Sequence, residues 1–251
     1  MKLPKKCIDI WVARPTQIKG CNLVSEYLKI LTDQEIEQIQ RFSSETQRHT
    51  ALITRVFIRV LLSKYLGITP ESVFFRTGCK GKPEISKIQT PIRFNLSHTY
   101  DFIVCAVTLV NDIGVDVEYT QREIQIDNFS KHFFCDSERA RLLTLPLMQR
   151  RETFFELWTL KESYLKACGE GVGEALSHFT FNLEDKAHIE IIFNSMRKDD
   201  PKNWQSWLFS GSPSHRIAVS IRSPKTEEYQ IRQFQMVPLE NVWAINLPLP
   251  Y

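Results

Sequence analysis

FFELWTLKESYLKACGEG, residues 154–171, has the period of a helix but not the usual chemistry of one. On a 3.6-residue repeat Phe155, Trp158, Glu162 and Lys166 fall in nearly one column. Gly169 sits where a left-handed residue closes a helix. A buried column asks for Leu where this chain has a carboxylate and an ammonium. One explanation is an exposed Glu-to-Lys i,i+4 pair, which adds about 0.2–0.5 kcal/mol. The other is a charged pair aimed into a cleft.

Outward from this helix, the order of elements repeats. CIDIWVARP (7–15) alternates and predicts a strand ending at proline. LTDQEIEQIQRF carries Thr32 as N-cap with Glu35 three later, a capping box. RHTALITRVFIRVLLSKYLG predicts a long amphipathic helix closed by Gly67. A glycine- and lysine-rich turn follows, FFRTGCKGKPEI, and then two strands, IRFNLSH and FIVCAVTLV. The second half has a strand, IGVDVE, and a short helix, CDSERARLLTL, capped by Asp136 or Ser137. It continues with the long helix quoted above and the strands FTFNLE, IEIIF, WQSWLFS and RIAVSIR. The expected fold is α+β: two similar, pseudo-symmetric lobes, each a mostly antiparallel sheet packed on a long helix, with a cleft between them. The expected division is residues 1–112 and 113–251.

Composition excludes several classes. The 251 residues are 43% apolar and 24% charged, with 32 basic against 29 acidic residues and a net charge of +3. That balance argues against bulk nucleic-acid binding. The run Phe102 to Val110 is half the length of a membrane helix and predicts a buried strand. Six cysteines without a C-x-x-C pair, and no signal-peptide pattern, fit reduced thiols in a cytoplasmic protein. The six histidines are scattered too widely for a His/Cys zinc site.

Two further stretches carry chemistry. On the strand IGVDVE, Ile113, Val115 and Val117 point one way and Gly114, Asp116 and Glu118 the other. The carboxylates then lie on one face, about 7 Å apart at their Cα atoms. Like charges so close repel unless something positive sits between them, and a hard divalent cation such as Mg²⁺ takes such oxygens. A strand with its polar face in water is the plainer alternative. KGKP places Lys80 and Lys82 around Gly81, stiffened by Pro83, with the Arg76 fork nearby. Such a turn suits a phosphate or is simply a solvated hairpin tip. FNLSHT sets Ser97 and His98 at a strand end.

Taken in order, KGKP, FNLSHT, IGVDVE and LWTLKESYLKACGEG resemble the 4′-phosphopantetheinyl transferases of the larger, surfactin-synthetase-activating type. The matching stretches span residues 76–171. The resemblance implies transfer of the phosphopantetheine arm of coenzyme A to a serine of an apo acyl or peptidyl carrier protein, in a cytoplasmic monomer, with no nucleic acid and no membrane involved. It implies Asp116, Glu118 and Glu162 as ligands of Mg²⁺ or Mn²⁺, Lys166 at the pyrophosphate, and Glu162 and Lys166 as the catalytic pair. Glu162, or a metal-bound water, would be the base. Coenzyme A would meet Arg76, Lys80, Gly81, Lys82, Pro83, Asn95, Ser97 and His98, with Lys82 and Pro83 flanking the adenine and His98 at the 3′-phosphate.

One position departs from the pattern. Members often carry a basic residue a turn before the RF of the first helix; this chain has Gln38, and Arg41 or Arg48 could substitute. The segment from Tyr119 to Arg139, with Phe129, Phe133, Phe134, Lys131 and Arg139, is the expected carrier surface, the plainer alternative being an ordinary core-facing helix. The rivals are a metal-dependent nuclease or phosphohydrolase and a non-catalytic module that grips coenzyme A or carrier proteins.

Overall fold

The computed structural model describes residues 1–78, 81–171 and 173–250, and in it the chain runs through one order of elements twice. The first pass is β1 (Cys7–Ala13), α1 (Cys21–Ile30), α2 (Asp33–Gln40), the long α3 (Glu45–Leu66), a hairpin of β2 (Phe74–Thr77) and β3 (Pro83–Ser86), then β4 (Ile92–Thr99) and β5 (Phe102–Leu109). The second is β6 (Ile113–Tyr119), α4 (Ile126–Phe133), α5 (Asp136–Thr144), the long α6 (Leu147–Cys168), a hairpin of β7 (Phe179–Asn182) and β8 (Glu190–Phe193), then β9 (Trp204–Ser212) and β10 (His215–Arg222). The sheets repeat as well, in the orders β1-β5-β4 and β6-β10-β9, with antiparallel pairing in both. Each long helix has 22 residues and stops at a left-handed glycine, Gly67 at φ 69° and Gly169 at φ 67°. The α+β, two-lobed expectation holds.

The end of the chain departs from the repeat. β11 (Gln230–Val237) lies parallel to β1, and β12 (Asn241–Ala244) pairs with β11 on the outer edge. The first sheet thus has five strands, and residues 230–244 hydrogen-bond into it although the expected division counted all of 113–251 to the second lobe. β1 is buried along its whole length because a strand lies on each side and a layer covers each face.

Local signals act as anticipated at some ends and not at others. Thr32 and Glu35 form both bonds of the capping box. In α5 the cap is Cys135 rather than Asp136 or Ser137: Glu138 accepts the Cys135 N–H at 3.0 Å, so both expected caps lie inside the helix. Phe129 and Phe133 of α4 turn inward, with ring centroids 4.5 and 5.8 Å from Trp158, and Phe134 stacks on Phe154 at 5.3 Å. Burial of aromatic area outweighs display to solvent here. Of the expected carrier surface, Phe134 is buried in the core, Phe129 and Phe133 are half-buried against it, and Lys131 is exposed.

The layers are helix, sheet, sheet, helix. α3 covers the first sheet around Trp11, Ile53, Phe57 and Val107. α6 covers the second around Phe155, Leu160, Leu208 and Ala218. Between the sheets, Ile8, Ile10 and Val104 meet Val115, Val117 and Val219. β6 packs unusually close to α6: a Cβ on Gly114 would lie 2.0 Å from the Ser163 carbonyl oxygen and 2.3 Å from the Ala167 nitrogen. Any side chain there would push strand and helix apart.

Candidate functional site

The two sheets meet edge to edge at β4 and β6, and side chains span the splay between them. Asn95 Oδ1 accepts the Val115 N–H at 2.9 Å, and Ser97 Oγ donates to Asp116 Oδ1 at 2.9 Å. α6 crosses this seam, brought near by Gly114. Lys166 Nζ donates to Asp116 Oδ1 at 2.6 Å and to Ser97 Oγ at 2.8 Å. Glu162, one turn earlier on the same face, is 9% exposed. Strand alternation and helix period thus deliver Asp116, Glu118, Glu162 and Lys166 to one place, as the column in the sequence suggested.

Asp116 Oδ2 and Glu162 Oε1 are buried with no hydrogen-bond partner. Leaving a buried carboxylate oxygen bare costs free energy, and such a cost is retained where the oxygen serves a ligand. Burial pushes the Glu162 carboxyl up to about 7; the Asp116 charge adds to this and Lys166 opposes it. Glu118 is also pushed up to about 7, first by burial and then by Asp116. Its oxygens are occupied: Oε1 accepts from Trp158 Nε1 at 2.8 Å and Oε2 from Arg122 Nε at 3.0 Å. Among the described residues no three acidic, histidine or cysteine side chains converge as a ready metal cage. The set expected to hold a cation is thus two carboxylates that each keep one bare oxygen, with a third engaged beside them. An all-oxygen donor set with unfilled lone pairs suits a hard divalent cation.

Lys161, beside Glu162 in sequence, is fully buried. Its ammonium pairs with Glu138 at 2.8 Å and donates to the Leu176 and Phe179 carbonyls. These bonds fix the rotation of α6, so that Glu162 and not Lys161 faces the seam.

The basic residues divide. His98 stands exposed at the rim; crowding by the protein, then the charges of Lys166 and Arg55, hold its pKa below the ordinary value. Arg55 was missed in the sequence. It reaches from α3 toward His98, with Nη2 donating to Gln38 Oε1 at 3.2 Å. The departure at Gln38 was the available signal, since a basic side chain lost there can be supplied from the neighbouring helix. Arg41 is exposed at the end of α2, and Arg48 donates to the Phe42 and Ser43 carbonyls at 2.8 and 2.9 Å, bracing the turn before α3.

The Lys82 ammonium is engaged within the protein. It bridges the Ile113 and Lys166 carbonyls at 3.1 and 3.0 Å, stitching β6 to the end of α6, and burial lowers its pKa. Arg76 pairs across the hairpin with Glu84 at 2.9 Å. Lys80 lies outside the described residues. Gly81 adopts φ 88°, and Pro83 opens β3. Behind this hairpin a cavity of about 520 Å³ opens between Lys82, Pro83, Arg76, Arg93, Asp112 and Cys168.

Comparison with known proteins bears on this geometry. A family model described as the 4′-phosphopantetheinyl transferase superfamily matches residues 112–220, and one described as the N-terminal part of 4′-phosphopantetheinyl transferase matches residues 21–109. The two matches meet where β5 passes to β6. The 4′-phosphopantetheinyl transferase gsp of Aneurinibacillus migulanus is 31% identical over 209 residues, covering 82% of this chain and 84% of the relative. Sfp of Bacillus subtilis is 27% identical over 202 residues, 80% of this chain and 87% of the relative. HetI of Nostoc sp. is 34% identical over 146 residues, 57% of this chain and 62% of the relative, so that match spans under two thirds of HetI.

Proposed function

This chain belongs to the 4′-phosphopantetheinyl transferases, of the larger surfactin-synthetase-activating type, and on that premise we propose that its cleft transfers the phosphopantetheine arm of coenzyme A to a serine of an apo carrier protein. The observation that carries the reading is the pair of bare buried oxygens, Asp116 Oδ2 and Glu162 Oε1, beside the Lys166 ammonium.

The serine oxygen attacks the phosphorus that bears the pantetheine arm. A new O–P bond forms, the bond to the bridging oxygen breaks, and its electron pair leaves with adenosine 3′,5′-bisphosphate. Such a transfer needs positioning and charge stabilisation more than covalent help. The serine proton goes to Glu162, directly or through an intervening water; without a cation, burial holds this carboxyl above its ordinary range, and a bound cation would lower it again. Lys166 has three N–H donors, of which Asp116 and Ser97 use two. The third serves the leaving phosphate. Asp116 and Glu162, with Glu118 beside them, would hold Mg²⁺ or Mn²⁺, which supplies positive charge against the pyrophosphate.

His98 and Arg55 form the anion contact for the 3′-phosphate, with Arg55 standing in for the basic residue absent at Gln38. The adenine takes the cavity beside Pro83, where Lys82 acts through the backbone it braces. No helix among the described residues is long and apolar enough to cross a membrane, and Cys7, Cys105, Cys135 and Cys168 are free thiols, which fits a reducing compartment.

The test is intact-mass spectrometry of apo acyl and peptidyl carrier proteins after incubation with coenzyme A and Mg²⁺. A gain of one phosphopantetheine arm, absent with chelator and with Asp116→Ala, is expected. Coenzyme A binding without transfer to any carrier would instead favour a binding module.

A further inference from the structure

Glu118 stands apart from its two neighbours. Asp116 and Glu162 each keep an oxygen without a partner, whereas both Glu118 oxygens accept a hydrogen bond, from Trp158 Nε1 and Arg122 Nε. Arg122 is itself held in place. Its guanidinium lies 5.3 Å from the centre of the Phe155 ring, and its carbonyl accepts from Arg151, which also donates to the Thr120 carbonyl at 2.6 Å. The turn after β6 is thereby fixed against α6 with its arginine aimed at the acidic cluster. Trp158 reports from the other side, on the same helix as Glu162.

We propose that Arg122 and Trp158 latch Glu118, so that a divalent cation at Asp116 and Glu162 must compete with the Arg122 guanidinium for the third carboxylate. The proposal rests on the reading of the acidic cluster as a cation site. An arginine is permanently charged and cannot step aside by losing its proton. Two effects of Arg122 oppose the cation: it occupies Glu118 Oε2, and its charge repels a divalent ion across a short, partly buried gap. Arg122 and Trp158 are positioning residues here, acting through Glu118. The latch explains why a cluster with three carboxylates presents only two with bare oxygens. It also implies that cation affinity in this chain is set from outside the coordinating residues.

The experiment is equilibrium Mn²⁺ binding to the full chain, read by the electron paramagnetic resonance of free Mn²⁺, for wild type, Arg122→Gln, Arg122→Lys and Asp116→Ala. Thermal midpoints of each show that they fold. Arg122→Gln is expected to bind about tenfold more tightly, because it removes a repulsion and frees an oxygen. Arg122→Lys, which keeps the charge, is expected to stay within about twofold of wild type. Mg²⁺ is expected to change tryptophan emission in wild type and not in Trp158→Phe, since Glu118 leaves the indole N–H when it turns to the cation. Binding lost in Asp116→Ala but equal in wild type and Arg122→Gln overturns the latch and leaves the cation site standing. Binding that survives Asp116→Ala overturns both.

Discussion

Each lobe buries an aspartate on the strand face turned toward its long helix, and the two aspartates have opposite surroundings. Asp9 of β1 is fully buried and saturated: Arg232 grips both oxygens at 2.6 and 2.7 Å, Tyr65 near the end of α3 donates to Oδ2, and the Cys7 thiol lies 3.5 Å from Oδ1. Asp116 of β6 receives Lys166 from near the end of α6 and Ser97 from β4, both on Oδ1, and its Oδ2 is left bare. The same architecture thus makes a closed structural pair in one lobe and an open coordination site in the other. β11 is what closes the first, because it brings Arg232 alongside β1. Among the described residues the second sheet has no equivalent added strand, and its β6 edge faces the seam instead.

This contrast can be broken directly by exchanging which property each aspartate supports. Asp116→Ala should reduce transfer by at least about 10²–10³-fold in a carrier-loading assay, with a smaller loss of stability than Asp9→Ala, because the bare Oδ2 offsets part of what the Lys166 and Ser97 bonds to Oδ1 contribute. Asp9→Ala should do the reverse: a loss of about 1–3 kcal/mol in denaturant unfolding, since Tyr65 and the partly exposed Arg232 are left without their acceptor, and near-normal turnover per folded molecule. If both variants lost stability alike, the distinction between the lobes would fail.

The two lobes also differ in how near the strand lies to its helix. Two residues before Asp9 stands Cys7; two before Asp116 stands Gly114. Gly114→Val should cost about 3 kcal/mol or more by overpacking and should also depress transfer in the molecules that stay folded, because α6 carries Glu162 and Lys166 away from β6. Unfolding curves with parallel activity assays check both effects.

A pH titration sharpens the comparison without mutation. Glu118 and Glu162 have folded-state values raised to about 7, above those of an unfolded chain. A raised carboxyl contributes stability while it stays protonated and loses that contribution as pH rises through its folded value. The metal-free protein should therefore lose stability between about pH 4.5 and pH 7.5, and Mg²⁺ should raise the thermal midpoint more at pH 8 than at pH 5.5. A flat profile would mean that the cluster is better solvated than its burial indicates. The smallest effect concerns the rim: Arg55→Ala should raise the KM for coenzyme A about tenfold with kcat nearly unchanged, and the increase should vanish with 3′-dephospho-coenzyme A.

Much of the site was legible because its parts are local. The Glu162–Lys166 column needs only the helix period, and the common face of Asp116 and Glu118 needs only strand alternation. What escaped was partnership. Lys82 looked like a ligand-facing ammonium in a basic turn, but its partners, Ile113 and Lys166, lie 31 and 84 residues away. Phe129 and Phe133 looked like a display surface, yet each turns part of its ring onto Trp158. Arg55 was one more charge on an amphipathic helix until Gln38 and His98 framed it.

By itself the sequence determined the alternation and helical periods, the glycine stops at Gly67 and Gly169, the capping box at Thr32 and the repeated order of elements. All of these depend on neighbours within a turn or a strand. Only the tertiary structure decided that β11 returns to close the first lobe, that Lys82 braces the backbone, and that Glu118 is engaged while Asp116 and Glu162 stay bare. The reason is physical: a charged side chain takes its role from the partners that desolvate and pair it, and here those partners come from distant parts of the chain, 40 residues apart for Glu118 and Trp158 and 50 for Asp116 and Lys166.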